Sequence, residues 1–256
     1  LGYKGRFADD LESGDPAAIE LHDSVRRVED LMLAQNDIKA NGILKFFPAN
    51  SDGQRILVYG SEDRAPDDRA SDNRKIAEEF HLGRQSKRDG LCLADYLLPQ
   101  SSGQVDYVGM FVVSIGTGVR ALAEKWMADG QFLNSHILSA LALESAEAFA
   151  ELLHQQIRQM WGFGDQAGTT PQDLFRTQYR GKRFSFGYPA CPRLEDQEQL
   201  FRLLDVSANL DVELTEGYMM DPESSVSALV FHHPDAKYFN LSERDIERLE
   251  ERFAQG

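Results

Sequence analysis

The segment Arg183-Phe-Ser-Phe-Gly187-Tyr188-Pro189-Ala190-Cys191-Pro192 gathers more chemistry than any other stretch of the chain. An arginine fork grips a carboxylate through two parallel hydrogen bonds, and a tyrosine face stacks on a heterocycle. Gly187 lets backbone come close to a bound group, while Pro189 and Pro192 hold the loop stiff and extended, so that its N–H and C=O groups can read the edge of a base. The combination suits a carboxylate-bearing, nucleotide-like ligand, and a purely structural corner is the competing reading. Cys191, set between Ala190 and Pro192 with no helix start beside it, reads as a small buried apolar residue rather than a nucleophile.

Other constellations are weaker. Phe111-Val-Val-Ser-Ile-Gly116-Thr-Gly118 runs from a strand into a helix like the first half of a glycine-rich nucleotide loop, with Ala121 at the third small position. No acidic ribose ligand is clearly placed and no βαβ unit surrounds it, which favours an ordinary strand-to-helix turn. Glu151-Leu-Leu-His154 sets two potential metal ligands on one helical face, with Glu144 and Glu147 on adjoining turns. A carboxylate-bridged metal site needs a second such motif, and none is present, so no bound metal is expected. His232-His233 lacks ligand spacing, and there is no Gly-x-Ser-x-Gly.

The elements that must position these residues read as follows. Asp15-Pro16 caps a helix whose apolar stripe is Leu21, Val25, Val28 and Met32, ending near Asn41-Gly42. Gly42–Pro48 and Arg55–Tyr59 form a hairpin across an Asp-Gly turn. Ser61–Arg74 reads as an exposed loop and Lys75–Phe80 as a restarted helix. Val105–Ile115 is a strand, and Val119–Ala128 and Phe132–Trp161 are helices, the second with a stripe of Leu138, Leu141, Ser145, Ala148 and Leu152. A short helix opens at Pro171, another runs from Leu194 to about Ala208, Tyr218–Met220 and Ser225–Phe231 are a closing strand pair, and Ser242 with Asp245 caps a last helix. Without regular βαβα alternation, repeats or linkers, the pattern favours a single α+β domain with an antiparallel sheet.

Composition bounds the function. The chain has 256 residues with Lys plus Arg 27 against Asp plus Glu 42, a net charge of −15, which argues against nucleic acid and anionic membrane as partners. Two cysteines make no disulfide framework, which fits a reducing, cytoplasmic setting. The opening Leu1-Gly2-Tyr3-Lys4-Gly5-Arg6 has no Met and no signal-peptide character, so the chain reads as a piece of something longer.

The loop's Arg-x-x-x-Gly-Tyr-Pro-Ala-Cys-Pro signature resembles that of the C-terminal, S-adenosylmethionine-binding activation domain of cobalamin-dependent methionine synthase. Leu44-Lys-Phe-Phe-Pro-Ala-Asn50, Leu93-Ala-Asp95, Asp106-Tyr-Val-Gly109, Ala146-Glu-Ala-Phe-Ala-Glu151 and His233-Pro-Asp-Ala-Lys-Tyr238 extend the likeness over nearly the whole chain. The resemblance implies a bent antiparallel sheet with flanking helices. It implies Arg183 on the ligand carboxylate, Tyr188 and Ala190 around the nucleoside, Tyr238 and Phe239 as the two successive aromatics at the ligand, and Glu147 in the ligand groove. Phe239 removes a hydroxyl that some members have, Thr177 stands where the family has a second glutamate, and a family aspartate belongs to a segment expected to precede Leu1. The implied role is repair. S-adenosylmethionine remethylates oxidised cobalamin, which is held by a preceding domain not in this chain, with an electron from flavodoxin or a related flavoprotein.

Overall fold

The computed structural model describes residues 3–60 and 74–254. The chain opens with α1 (Phe7–Glu12) and α2 (Pro16–Leu33), the latter capped by the Asp15 carboxylate, which accepts from the N–H groups of Ala17 and Ala18 at 3.0 Å each. Strands β1 (Asn41–Asp52), β2 (Arg55–Tyr59), β3 (Ile76–His81) and β4 (Asp106–Ser114) follow. Two 3-10 turns, Leu93–Tyr96 and Gln100–Ser102, precede β4. Helices α3 (Gly118–Ala128), α4 (Phe132–Met160) and α5 (Pro171–Phe175) lead to β5 (Lys182–Phe184). After α6 (Gln197–Leu204) and α7 (Val206–Asn209) come β6 (Glu213–Leu214), β7 (Met220–Asp221), β8 (Ser225–Phe231) and α8 (Glu243–Ala254).

Six strands form one antiparallel sheet in the order β3-β2-β1-β4-β8-β5. β1 is shared lengthwise. Its residues 41–49 pair with β4 and its residues 49–52 with β2, so the sheet steps sideways at Ala49. Both faces are covered, which is why β4 and β8 read as nearly unbroken apolar runs rather than alternating ones. Val108, Met110, Val112, Leu229 and Phe231 pack with Phe184, Phe186 and α6 on one side. On the other side Phe111, Val113, Val226, Ala228 and Val230 meet α2, α3 and α4.

Several expectations are corrected. Lys75–Phe80 does not restart a helix, because so short a segment gains little from helical nucleation and instead pairs as β3 along β2. Helix α2 stops at Leu33, well before Asn41, where β1 begins, and the intervening chain brings Ile38 onto the helical-side core. β7 and β8 are not partners, since β7 pairs with β6 while β8 lies inside the large sheet. The Leu194–Ala208 helix is two, interrupted where Asp205 adopts a left-handed φ of 52°. The α4 stripe is rotated from the expected one. Ala142, Ala146 and Ala150 face the sheet, whereas Leu152 is exposed, because small side chains let the helix approach the strands closely. Helix α1 and strands β5 and β6 carry no clear signal in the sequence, and the Ser61–Arg74 loop lies, apart from Arg74, outside the described residues. The Ser242–Asp245 cap forms as expected, with Asp245 N–H donating to Ser242 Oγ and Ser242 N–H to Asp245 Oδ2.

Candidate ligand-binding site

The rotation of α4 decides what points at the sheet's edge. Glu147 and Glu151 each follow a sheet-facing alanine, so at roughly 100° per residue both carboxylates turn sideways from the buried stripe. There they meet Arg183 on β5. Arg183 Nη2 donates to Glu147 Oε2 at 3.1 Å, and its Nε lies 3.7 Å from Glu151 Oε2. β5 is fixed by its register on β8, where Arg183 opposes Val230 and Phe184 opposes Leu229.

The Gly187–Cys191 loop is closed by its own backbone. Gly187 N–H donates to the Cys191 carbonyl and Cys191 N–H to the Tyr188 carbonyl, both at 2.8 Å, and Leu241 N–H donates to the Pro189 carbonyl at 3.0 Å. Gly187 has a φ of +81°, so the backbone conformation favours glycine, and a Cβ there would also push on Leu194 Cδ2 at 2.9 Å. Among the described residues the peptide groups of Ala190 make no hydrogen bond and remain available. Cys191 is buried, as expected.

All six anticipated site residues, Glu147, Arg183, Tyr188, Ala190, Tyr238 and Phe239, line one cleft of about 330 Å³. Phe239 is buried and Tyr238 and Tyr188 are half or more exposed, so aromatic surface forms both floor and rim. Phe184, not anticipated, is the pivot of that surface, with ring centroids 5.3 Å from Tyr238 and 6.4 Å from Phe239. Ser185 and Asn240 also line the cleft, whereas Thr177 does not. The Gly116-x-Gly118 turn is elsewhere and closed, for a Cβ on Gly118 would meet the Asp37 carbonyl at 2.9 Å. Among the described residues no group of three or more His, Cys, Asp or Glu converges to hold a metal, and no helix is long and apolar enough to cross a membrane.

A family profile described as vitamin B12 dependent methionine synthase, activation domain, matches residues 3–255. The chain belongs to this family. It is also similar to a solved structure titled the MetH reactivation domain bound to AdoHcy, at 31% identity and a TM-score of 0.85 over 98% of this chain and 78% of that one.

Behind the cleft, this activation domain buries a cluster that motif reading did not assemble. Arg158 is 1% exposed and is held by Asp165 in a two-pronged pair at 2.8 and 2.7 Å. Its guanidinium lies 3.8 Å from the centre of the Tyr179 ring. Tyr179 OH donates to Glu151 at 3.4 Å, and Lys182 Nζ donates to the Tyr179 and Gly181 carbonyls. Burial pushes the Glu151 carboxyl up and the Lys182 ammonium down. The only sequence signal was that Glu151, His154 and Arg158 recur on one helical flank, a pattern that metal chemistry did not use.

His154 is fully buried, edge-on to the Tyr179 ring at 5.3 Å. Burial drives its pKa from 6.5 to about 2, with Arg158, Arg183 and Lys182 adding to the effect. A folded-state pKa below the unfolded one stabilises the fold above the unfolded value and loses that stability as pH falls. Stability should therefore decline below pH 6.5 by at most about 1.4 kcal/mol per pH unit from this group. Denaturant midpoints of the parent and His154→Phe at pH 7 and pH 5 test this, with a smaller acid loss expected in the variant. Equal losses would show that His154 is not the acid-sensitive group.

Proposed function

We propose that this activation domain binds S-adenosylmethionine in the cleft between α4, β5 and the Gly187–Cys191 loop, and that it supports the reductive methylation of cob(II)alamin to methylcobalamin. The observation that carries the reading is the Arg183–Glu147 ion pair at one end of an aromatic cleft. An amino-acid zwitterion fits into such a pair, its carboxylate taking Arg183 and its ammonium taking Glu147. Tyr188 and Tyr238 would flank the nucleoside, and the open Ala190 peptide groups would meet the adenine edge. The AdoHcy bound by the matching domain supports the same ligand class.

The sulfonium supplies a methyl group already activated for transfer to reduced cobalt, so no general base is required of the chain. What Arg183, Glu147 and the aromatic walls contribute is orientation. A cobalamin-binding domain of the same enzyme, a flavodoxin-like electron donor and a cytoplasmic setting complete the proposal. It is tested by calorimetric titration with S-adenosylmethionine and AdoHcy, then by mixing the chain with a cobalamin-binding domain, flavodoxin and reductant while following the visible spectrum. Conversion to methylcobalamin that depends on this chain is expected. Binding without conversion would leave a ligand-sensing module, and failure to bind either ligand would overturn the reading.

A further inference from the structure

We infer that Glu151 is a positioning residue, holding the Nε edge of Arg183 in place while Glu147 yields the other edge to the ligand; the inference rests on the proposed binding site. The two carboxylates on Arg183 are not equivalent. Glu147 is 50% exposed, lines the cleft and touches Nη2. Glu151 is 27% exposed, sits one helical turn deeper, and does not line the cleft. An exposed partner re-solvates easily when another anion replaces it, whereas a half-buried one is costly to release.

Glu151 is also braced from behind. Tyr179 OH donates to the same Oε2 that faces Arg183, and Glu151 Oε1 lies 3.8 Å from Arg158 Nη1. Arg158 is in turn fixed by Asp165 through Nε and Nη2. Glu151 Oε1 and Arg158 Nη1 are both buried without a hydrogen-bond partner and lie 3.8 Å apart, so this joint depends on electrostatic attraction across a gap. The chain Asp165, Arg158, Glu151, Arg183 thus runs with alternating sign from the loop after α4 to the cleft. Its effect is to fix the plane of the Arg183 guanidinium, on which two-pronged recognition of a carboxylate depends.

A positioning role acts only on ligands that use the Arg183 fork, which separates it from general damage to the cleft. AdoHcy carries the amino-acid carboxylate, and 5′-methylthioadenosine has the same nucleoside and sulfur without it. Glu151→Gln is expected to weaken AdoHcy by about tenfold, the scale of a misaligned contact group, and 5′-methylthioadenosine by less than about twofold. In an Arg183→Ala background Glu151→Gln should change AdoHcy affinity no further, since the group it positions is gone. Tyr179→Phe, which keeps the ring over Arg158 and removes the hydroxyl shared by Glu151 and Tyr238, provides a milder second variant that should weaken AdoHcy more than 5′-methylthioadenosine. Equal weakening of both ligands, or unchanged AdoHcy affinity in both variants, would overturn the inference while leaving the binding site intact. A parent chain that binds neither ligand would overturn both.

Discussion

Arg183→Ala is expected to weaken S-adenosylmethionine binding by about 2–4 kcal/mol, roughly 30- to 1,000-fold, because it removes a charge-assisted fork and leaves the ligand carboxylate unpaired in a half-enclosed cleft. The free protein sharpens the expectation. Arg183 is already engaged by Glu147 and Glu151, so its loss also leaves two carboxylates facing each other at the place where the ligand carboxylate must come. Arg183→Lys should fall between, since an ammonium keeps the charge but cannot present two parallel donors. Calorimetric titration of the three proteins, each first shown to melt cooperatively, measures the series. Equal affinities across it would remove Arg183 from the site.

Asp165→Asn is expected to cost about 3–5 kcal/mol of folding stability at pH 7, because it breaks a buried pair and leaves the Arg158 charge with only the more distant Glu151 carboxylate. Hydrogen bonds from Arg158 hold the Asp165 carboxyl below its usual range. A depressed carboxyl pKa contributes stability that is present above the unfolded value of 3.8 and lost as pH falls through the folded one. The gap between parent and variant should therefore narrow in acid. Replacing both partners, as Arg158→Met with Asp165→Leu, should recover much of the loss, since a packed apolar pair carries no desolvation cost. Urea midpoints at pH 7 and pH 3 distinguish these cases. A loss under about 1 kcal/mol in Asp165→Asn alone would show that Arg158 is held by its other neighbours.

The parts of the fold legible in the sequence are those where local chemistry and burial agree. Asp15-Pro16 and Ser242 with Asp245 mark helix starts because their side chains satisfy the first free N–H groups wherever the helix finally packs. The apolar strands β4 and β8 are legible because two covered faces leave no polar alternation to confuse them. What escapes is decided by neighbours distant in sequence. Lys75–Phe80 has a helix's composition and becomes a strand because β2 offers it a ladder. The α4 stripe favours alanine over leucine because a sheet lies against it, which no periodicity count can know.

The site divides along the same line. Arg183, Tyr188 and Ala190 announce themselves because glycine and two prolines shape one continuous loop, and the family likeness adds Glu147, Tyr238 and Phe239 from two other segments. Tyr179 is silent, and Glu151 and Arg158 signal no more than a shared helical flank, since a buried ion chain is distributed over a helix, a turn and a loop. Glu151-x-x-His154 drew attention for metal chemistry, yet its glutamate braces an arginine and its histidine is sealed in the interior.

An open sheet of six strands has two edges along which a second chain could add itself. One is β3, six residues long, carrying Glu78 and Glu79 and capped by α6, whose Gln199 side chain donates to the Glu79 carbonyl at 2.8 Å. The other is β5, only three residues long, with a lysine and an arginine in succession. A strand so short offers an incoming chain almost no ladder. The arginine proposed to meet a ligand carboxylate therefore stands on the edge strand that offers an added chain the least to pair with. On the proposed function, resistance to aggregation and ligand recognition share the same few residues.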